Sequence, residues 1–251
     1  MSRNFELLHE AGKVQEMLRQ RIETPVATAP VVMIQGAPSL QIDDAAREEV
    51  NKLVQRLFLA SGTLCPRQVV FAGTERGNGS SWTCAHAADV LASQVSGSVC
   101  AVDCDSLFPT LHEEFKVQNH YGLADALLGG EPIRQYVQQL SRPNLWLLSA
   151  GSLHENAPQM LSSEKMQRRM AELQAEFDYV LIDTASLDAS NHSGVLGSWC
   201  DGVALVLKAN SSDRKAARKA LAGLETANVR VLGAVLNQRT FPVPDRIYRR
   251  L

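Results

Sequence analysis

Nothing in the 251 residues approaches the run of roughly 20 apolar residues that a membrane-spanning helix needs. The opening residues Met1-Ser2-Arg3-Asn4-Phe5-Glu6 are followed by no apolar segment of the kind a secretory signal carries, so a cytoplasmic location is expected. There is little excess charge of either sign. A formal net charge of −2 gives no bulk pull toward nucleic acid or anionic lipid. No two cysteines stand in Cys-x-x-Cys spacing. The five present, at 65, 84, 100, 104 and 200, are odd in number and mostly lie in apolar stretches. Buried thiols in a reducing compartment are therefore expected, with neither a disulfide framework nor a metal site. The six histidines lack metal-ligand spacing as well.

What the chain does have is alternation. Short apolar or β-branched runs at 69–72, 99–102, 145–148, 179–182, 203–207 and 231–236 each read as a buried strand. Helical patterns fall between them, near 81–95, 122–140, 162–176, 190–200 and 212–227, with a further amphipathic helix at 43–60 that Asp43 or Asp44 can cap. The fold class is therefore α/β: a mostly parallel sheet flanked by helices on both faces. Residues 41–251 read as this domain. Residues 1–40 read as a polar N-terminal helix at 5–23 and an extended linker with a short strand at 31–34. Ligands in such sheets bind at the carboxyl ends of the strands. That rule directs attention to residues 73–81, 103–109, 183–186 and 237–239.

At the first of these ends the chain reads Phe71-Ala-Gly-Thr74-Glu-Arg76-Gly77-Asn78-Gly79-Ser80-Ser81. Two glycines permit a tight turn, and the following helix offers unpaired N–H groups at the positive end of its dipole. This can cradle phosphate, and Ser81 stands where a hydroxyl would bind Mg²⁺. A dinucleotide motif fails, because Trp82 occupies its third glycine. A simple glycine turn between strand and helix remains the plainer alternative. The second end is Asp103-Cys-Asp105, two carboxylates able to orient a metal-bound water or act as a base, or alternatively to cap a helix or loop. At the third end, a run of apolar residues closes on Asp183, a pattern whose carboxylate reaches Mg²⁺ directly or through water.

Taken together, these ends resemble the cytoplasmic bacterial tyrosine kinases of polysaccharide export, relatives of the ParA/MinD-like P-loop NTPases. The likeness covers about residues 43–251. Residues 71–81 resemble the family's Walker A loop, and 102–112 its second, kinase-specific Walker motif. Gly122-Leu-Ala-Asp-Ala-Leu-Leu-Gly129, Ser149-Ala-Gly151, 156–163, Ile182-Asp-Thr184 and Gly233-Ala-Val-Leu-Asn237 also fit. The resemblance implies ATP and Mg²⁺ as cofactors. It assigns nucleotide binding to Thr74, Gly77, Asn78, Gly79, Ser80, Ser81 and Asn237, metal binding to Ser81, Asp103 and Asp183, and catalysis to Asp103 and Asp105. It also implies a membrane polysaccharide co-polymerase (a chain-length regulator) as docking partner at the inner membrane, and a homo-oligomer.

The departures from the family are specific. The family loop reads Gly-x-Gly-Lys-Ser, whereas Ser80 replaces the lysine here. Ala185 and Ser186 stand where Pro-Pro usually follows the third aspartate. Asn51 and Val54 occupy the arginine positions of the helix that packs subunits into a ring. One tyrosine, Tyr248, replaces the C-terminal tyrosine cluster, as a phosphate acceptor or an aromatic anchor. Three readings follow: a degenerate pseudokinase regulator, an active tyrosine autokinase with Arg76 or a partner's residue in place of the lysine, and a ParA-like positioning ATPase. The basic residues Arg214, Lys215, Arg218 and Lys219 share one helix and read as a solvated face, too small a stripe for nucleic acid.

Overall fold

A computed structural model describes residues 40–60, 65–152 and 157–238. The expected helix at 5–23, the linker strand at 31–34 and Tyr248 lie outside the described residues. Helix α1 (Asp44–Phe58) starts at Asp43, whose carboxylate accepts from the Ala46 N–H. It buries Val50, Val54 and Phe58. Strand β1 (Gln68–Gly73) leads into α2 (Ser80–Gln94), then β2 (Val99–Cys104), the short turn α3 (Leu111–Glu114) and α4 (Leu123–Leu128). A 3₁₀ turn (Ile133–Tyr136), β3 (Gln138–Gln139), β4 (Leu145–Leu148), α5 (Ala157–Met160) and α6 (Glu164–Glu176) follow. The chain continues through β5 (Tyr179–Thr184), α7 (His192–Trp199), β6 (Gly202–Lys208), α8 (Arg214–Thr226) and β7 (Val231–Asn237).

The strands form a seven-stranded sheet in the order β3-β4-β2-β5-β1-β6-β7. All pairings are parallel except β3 with β4. Alternate side chains feed two cores. Val70, Ala72, Cys100, Val102, Val180 and Ile182 join one, with α6 and α7 over it. Val69, Phe71, Val99, Ala101 and Leu181 join the other, with α1 and α2 over it. Burial on both faces is what the continuous apolar runs require.

Two expectations are corrected. Strand β7, read as buried, has one strand neighbour only and leaves Gly233, Ala234 and Leu236 exposed. The helix read at 122–140 is broken: α4 ends at Leu128, and the chain then makes the 3₁₀ turn and antiparallel β3. Gly129, Gly130 and Pro132 sit at the break and stop the helix. Asn51 accepts a hydrogen bond from Gln94 Nε2 at 2.9 Å and so ties α1 to the end of α2. Of the expected buried thiols, Cys84, Cys100 and Cys104 are buried. Trp146 is core, whereas Trp82 and Trp199 are half-buried and Trp82 stacks on His86 at 4.1 Å.

Candidate functional site

Strand β1 delivers the loop at the centre of the sheet, between β5 and β6. Gly77 (φ +83°) and Gly79 (φ +80°) both take the left-handed region that glycine tolerates. Gly79 is the N-cap of α2 and offers no side chain to its first turn, so the N–H groups there are open to an anion. Inside the loop, buried Asn78 donates from Nδ2 to Thr74 Oγ1 (2.8 Å) and to the Val206 carbonyl (3.2 Å). Thr74 is likewise buried, and its own N–H donates to Val206 (3.3 Å). Of these two expected nucleotide ligands, Asn78 thus bonds β6 through its side chain and Thr74 through its backbone N–H, while the Thr74 hydroxyl accepts from Asn78 within the loop. Ser80 and Ser81, half-buried in the first turn of α2, face the third aspartate.

The acidic residues divide into two kinds. Asp103 is fully buried, and its two oxygens accept from the N–H groups of Asp105 (3.1 Å) and Leu111 (3.0 Å). Burial pushes its carboxyl up to about 7 against the pull of those N–H groups. Asp105 accepts from Leu107 and Phe108 N–H at 2.9 Å each. Both carboxylates therefore shape the loop after β2, the capping role that was the alternative to catalysis. Asp183 differs. It is fully buried, and neither of its oxygens has a hydrogen-bond partner among the described residues. Burial first, and the neighbouring Asp103 second, push its carboxyl well above the usual range, while the Ser81 and Ser80 hydroxyls pull it part of the way back.

An orphaned buried carboxylate invites a cation. Asp183 and the Ser81 hydroxyl beside it offer oxygen donors of the kind that suits a hard ion such as Mg²⁺, whereas the oxygens of Asp103, also expected at the metal, accept from the Asp105 and Leu111 N–H groups. Among the described residues no three His, Cys, Asp or Glu converge as a self-sufficient metal cage. Mg²⁺ commonly takes only one or two carboxylates and completes its shell with water and phosphate oxygens.

Two further residues have definite partners. Asn237 donates from Nδ2 to the Asn78 carbonyl at 3.1 Å, on the loop itself. Arg76 does not reach into the cradle; its guanidinium stacks on Phe108, 3.5 Å from the ring centroid. Phe108 and Gln238, which flank the site, and Ser106, whose buried hydroxyl lacks a partner among the described residues beside a cavity of about 20 Å³ next to Asp103, all lie within the strand ends that the sequence pointed to, although none was given a role there.

Two motifs of the resemblance meet near this end. The Leu123 and Ala124 N–H groups donate to the Ser149 and Ala150 carbonyls, and a Cβ on Gly122 would lie 2.1 Å from the Ser149 carbonyl oxygen. No helix among the described residues is long and apolar enough to cross a membrane.

Comparison with known proteins shows the family and the fold. The family described as cellulose biosynthesis protein BcsQ matches residues 67–224. Tyrosine-protein kinase YwqD of Bacillus subtilis is 32% identical over 190 residues, covering 76% of this chain and 80% of YwqD. Tyrosine-protein kinase Wzc of Salmonella typhi is 26% identical over 194 residues, 77% of this chain but only 27% of Wzc. The kinase domain of Escherichia coli tyrosine kinase ETK superposes with a TM-score of 0.72 at 21% identity, covering 82% of this chain and 86% of that domain. The chain belongs to the bacterial tyrosine kinase family of ParA/MinD-related P-loop proteins.

Proposed function

We propose that this member of the kinase family is a degenerate, non-catalytic regulator of polysaccharide assembly, able to hold a magnesium nucleotide weakly. The observation that carries this reading is the split between the two halves of its site. On the metal side stand the unpartnered Asp183 carboxylate and the Ser81 hydroxyl beside it, next to the glycine turn that opens α2. The phosphate side has Ser80 in place of a lysine, and the nearest arginine of the loop, Arg76, is stacked on Phe108. A hydroxyl can hydrogen-bond to phosphate but carries no charge. Losing a charge-assisted bond costs about 1.5–3 kcal/mol of binding. Losing a preorganised stabiliser of transferred charge costs on the order of 10²–10³ in rate.

When bound, Mg²⁺ would supply charge neutralisation and orientation of phosphate oxygens. The chain's own residues would do the rest. Asp183 and Ser81 would hold the ion, Asp103 would keep the loop after β2 in place, and the Gly77–Ser81 amides would receive phosphate. Docking to a membrane polysaccharide co-polymerase through this domain, and self-association through α1, belong to the same reading. They rest on membership of the kinase family alone.

Calorimetric titration with Mg-ATP, followed by mass spectrometry of Tyr248, tests the proposal. Weak binding (tens of micromolar or above) with no phosphate on Tyr248 is expected. Tight magnesium-dependent binding with phosphate on Tyr248 would instead establish an active autokinase.

A further inference from the structure

We propose that Asn237 is a positioning residue of the phosphate loop. With Gln238 it clasps the loop backbone to the end of β7, and does not read a nucleotide base. Both ends of the Asn237 amide have protein partners. Nδ2 donates to the Asn78 carbonyl at 3.1 Å, and Oδ1 accepts from the Gln238 N–H at 2.8 Å. Gln238 Nε2 in turn approaches the Gly77 carbonyl at 3.5 Å. The Asn237 amide also lies against the loop's second glycine: a Cβ on Gly79 would stand 2.3 Å from Nδ2.

The consequence for phosphate follows from the planarity of the peptide. The Asn78 carbonyl and the Gly79 N–H belong to one trans peptide plane and point in opposite directions. Holding the carbonyl toward β7 therefore aims the Gly79 N–H the other way. The Gly77 carbonyl and the Asn78 N–H are linked in the same manner through Gln238. These are amides of the kind that a phosphate loop presents to its ligand. On the opposite side, the Asn78 side chain is anchored to β6 through the Val206 carbonyl. The loop is thus pinned from two strands, with its amides set before any ligand arrives. Such preorganisation matters more where no lysine draws the phosphate in.

Gln238 adds a second, independent sign. Its φ of +53° is left-handed, which a residue with a side chain adopts only at a cost of about 1 kcal/mol or more. That turn brings its amide back toward Gly77.

The ligand half of this inference rests on the nucleotide-site reading, whereas the loop half does not. The experiment therefore measures both, using Asn237→Leu, which matches the side chain in size and adds no charge. Nitrogen-15 relaxation on the ligand-free chain should show the Gly77, Asn78 and Gly79 amides becoming mobile, with β1 and β2 amides unchanged. Affinities for Mg-ATP and for magnesium tripolyphosphate, which has no base, should fall together by about threefold to tenfold, the worth of one neutral hydrogen bond. Gln238→Ala should produce the same pattern more weakly, and serves if Asn237→Leu does not fold. A loop that stays ordered in both variants overturns the clasp. So does a loss of ATP affinity with tripolyphosphate unaffected, since that is the signature of a base contact. Loosened amides in a chain that binds neither ligand would uphold the clasp and remove the nucleotide-site reading instead.

Discussion

Asp103 and Asp183 are Cα partners on neighbouring parallel strands β2 and β5, and both are fully buried. Parallel register puts their side chains on one face of the sheet, at its carboxyl end. Two carboxyls so placed cannot both ionise cheaply without a cation between or beside them. The relationship gives the site a measurable pH signature of its own.

In the metal-free chain both carboxyls titrate above their unfolded values, Asp103 at about 7 and Asp183 higher than normal as well. The folded state therefore holds protons that the unfolded chain has released. Stability from this source is complete below the unfolded carboxylate pKa and is lost as pH rises through the folded value. Asp183→Asn removes one titrating group and the like-charge repulsion. We predict that the variant gains stability relative to the parent between pH 5 and 8, by up to about 1.4 kcal/mol per pH unit per proton. Differential scanning calorimetry of both chains in chelator checks this, and a pH-independent difference would refute it. Excess Mg²⁺ should stabilise the parent more than the variant at pH 8.

Ser80→Lys returns a cation to the cradle. With the loop amides and Asp183 already placed, Mg-ATP affinity is expected to rise by about tenfold to a hundredfold, the worth of one charge-assisted hydrogen bond. Isothermal titration reads it directly. No change would mean that the cradle has shifted beyond the reach of a lysine.

Arg76 provides a contrasting case. Stacked on Phe108 at 3.5 Å, it makes a contact worth about 0.5–1 kcal/mol at an exposed site. We predict that Arg76→Ala alters Mg-ATP affinity by less than about threefold, and that a double-mutant cycle with Phe108→Ala shows coupling in stability, not in binding. A large loss of affinity on Arg76→Ala would make this arginine the substitute for the missing lysine.

The layered architecture was legible because a strand buried on both faces leaves an unbroken apolar run, as β1, β2, β4, β5 and β6 each do; the run of β7 looks the same in sequence although that strand lies at the sheet edge and is only half-buried to exposed. Strand β3 was not, because Gln138 and Gln139 are neither apolar nor alternating and pair only through the backbone with Leu147 and Trp146. The positions of Asp103, Asp183 and the Gly77–Ser81 turn were also legible, since strand ends and glycines mark them. What their atoms do was not. Nothing local to Asp103 says that backbone N–H groups occupy its oxygens while Asp183 has none. The Asn237 contact spans 159 residues of sequence, so only the fold could bring it to the loop.

Gly77 and Gly79 separate backbone strain from contact with Asn237. Their φ angles, +83° and +80°, are nearly equal, so an alanine at either site meets the same conformational penalty, about 1 kcal/mol. Their surroundings differ. A Cβ on Gly77 meets nothing within 4 Å, whereas on Gly79 it meets Asn237 Nδ2 at 2.3 Å. Gly77→Ala should therefore lower Tm by about 2–4 °C, the shift expected of that penalty in a chain of this size. Gly79→Ala should lower it further, because the amide must move and release the Asn78 carbonyl. Combining Gly79→Ala with Asn237→Ala should recover part of the excess, since the shorter side chain clears the new methyl. Equal losses for the two glycine variants would show that Asn237 does not press on the loop, and would weaken the clasp with it.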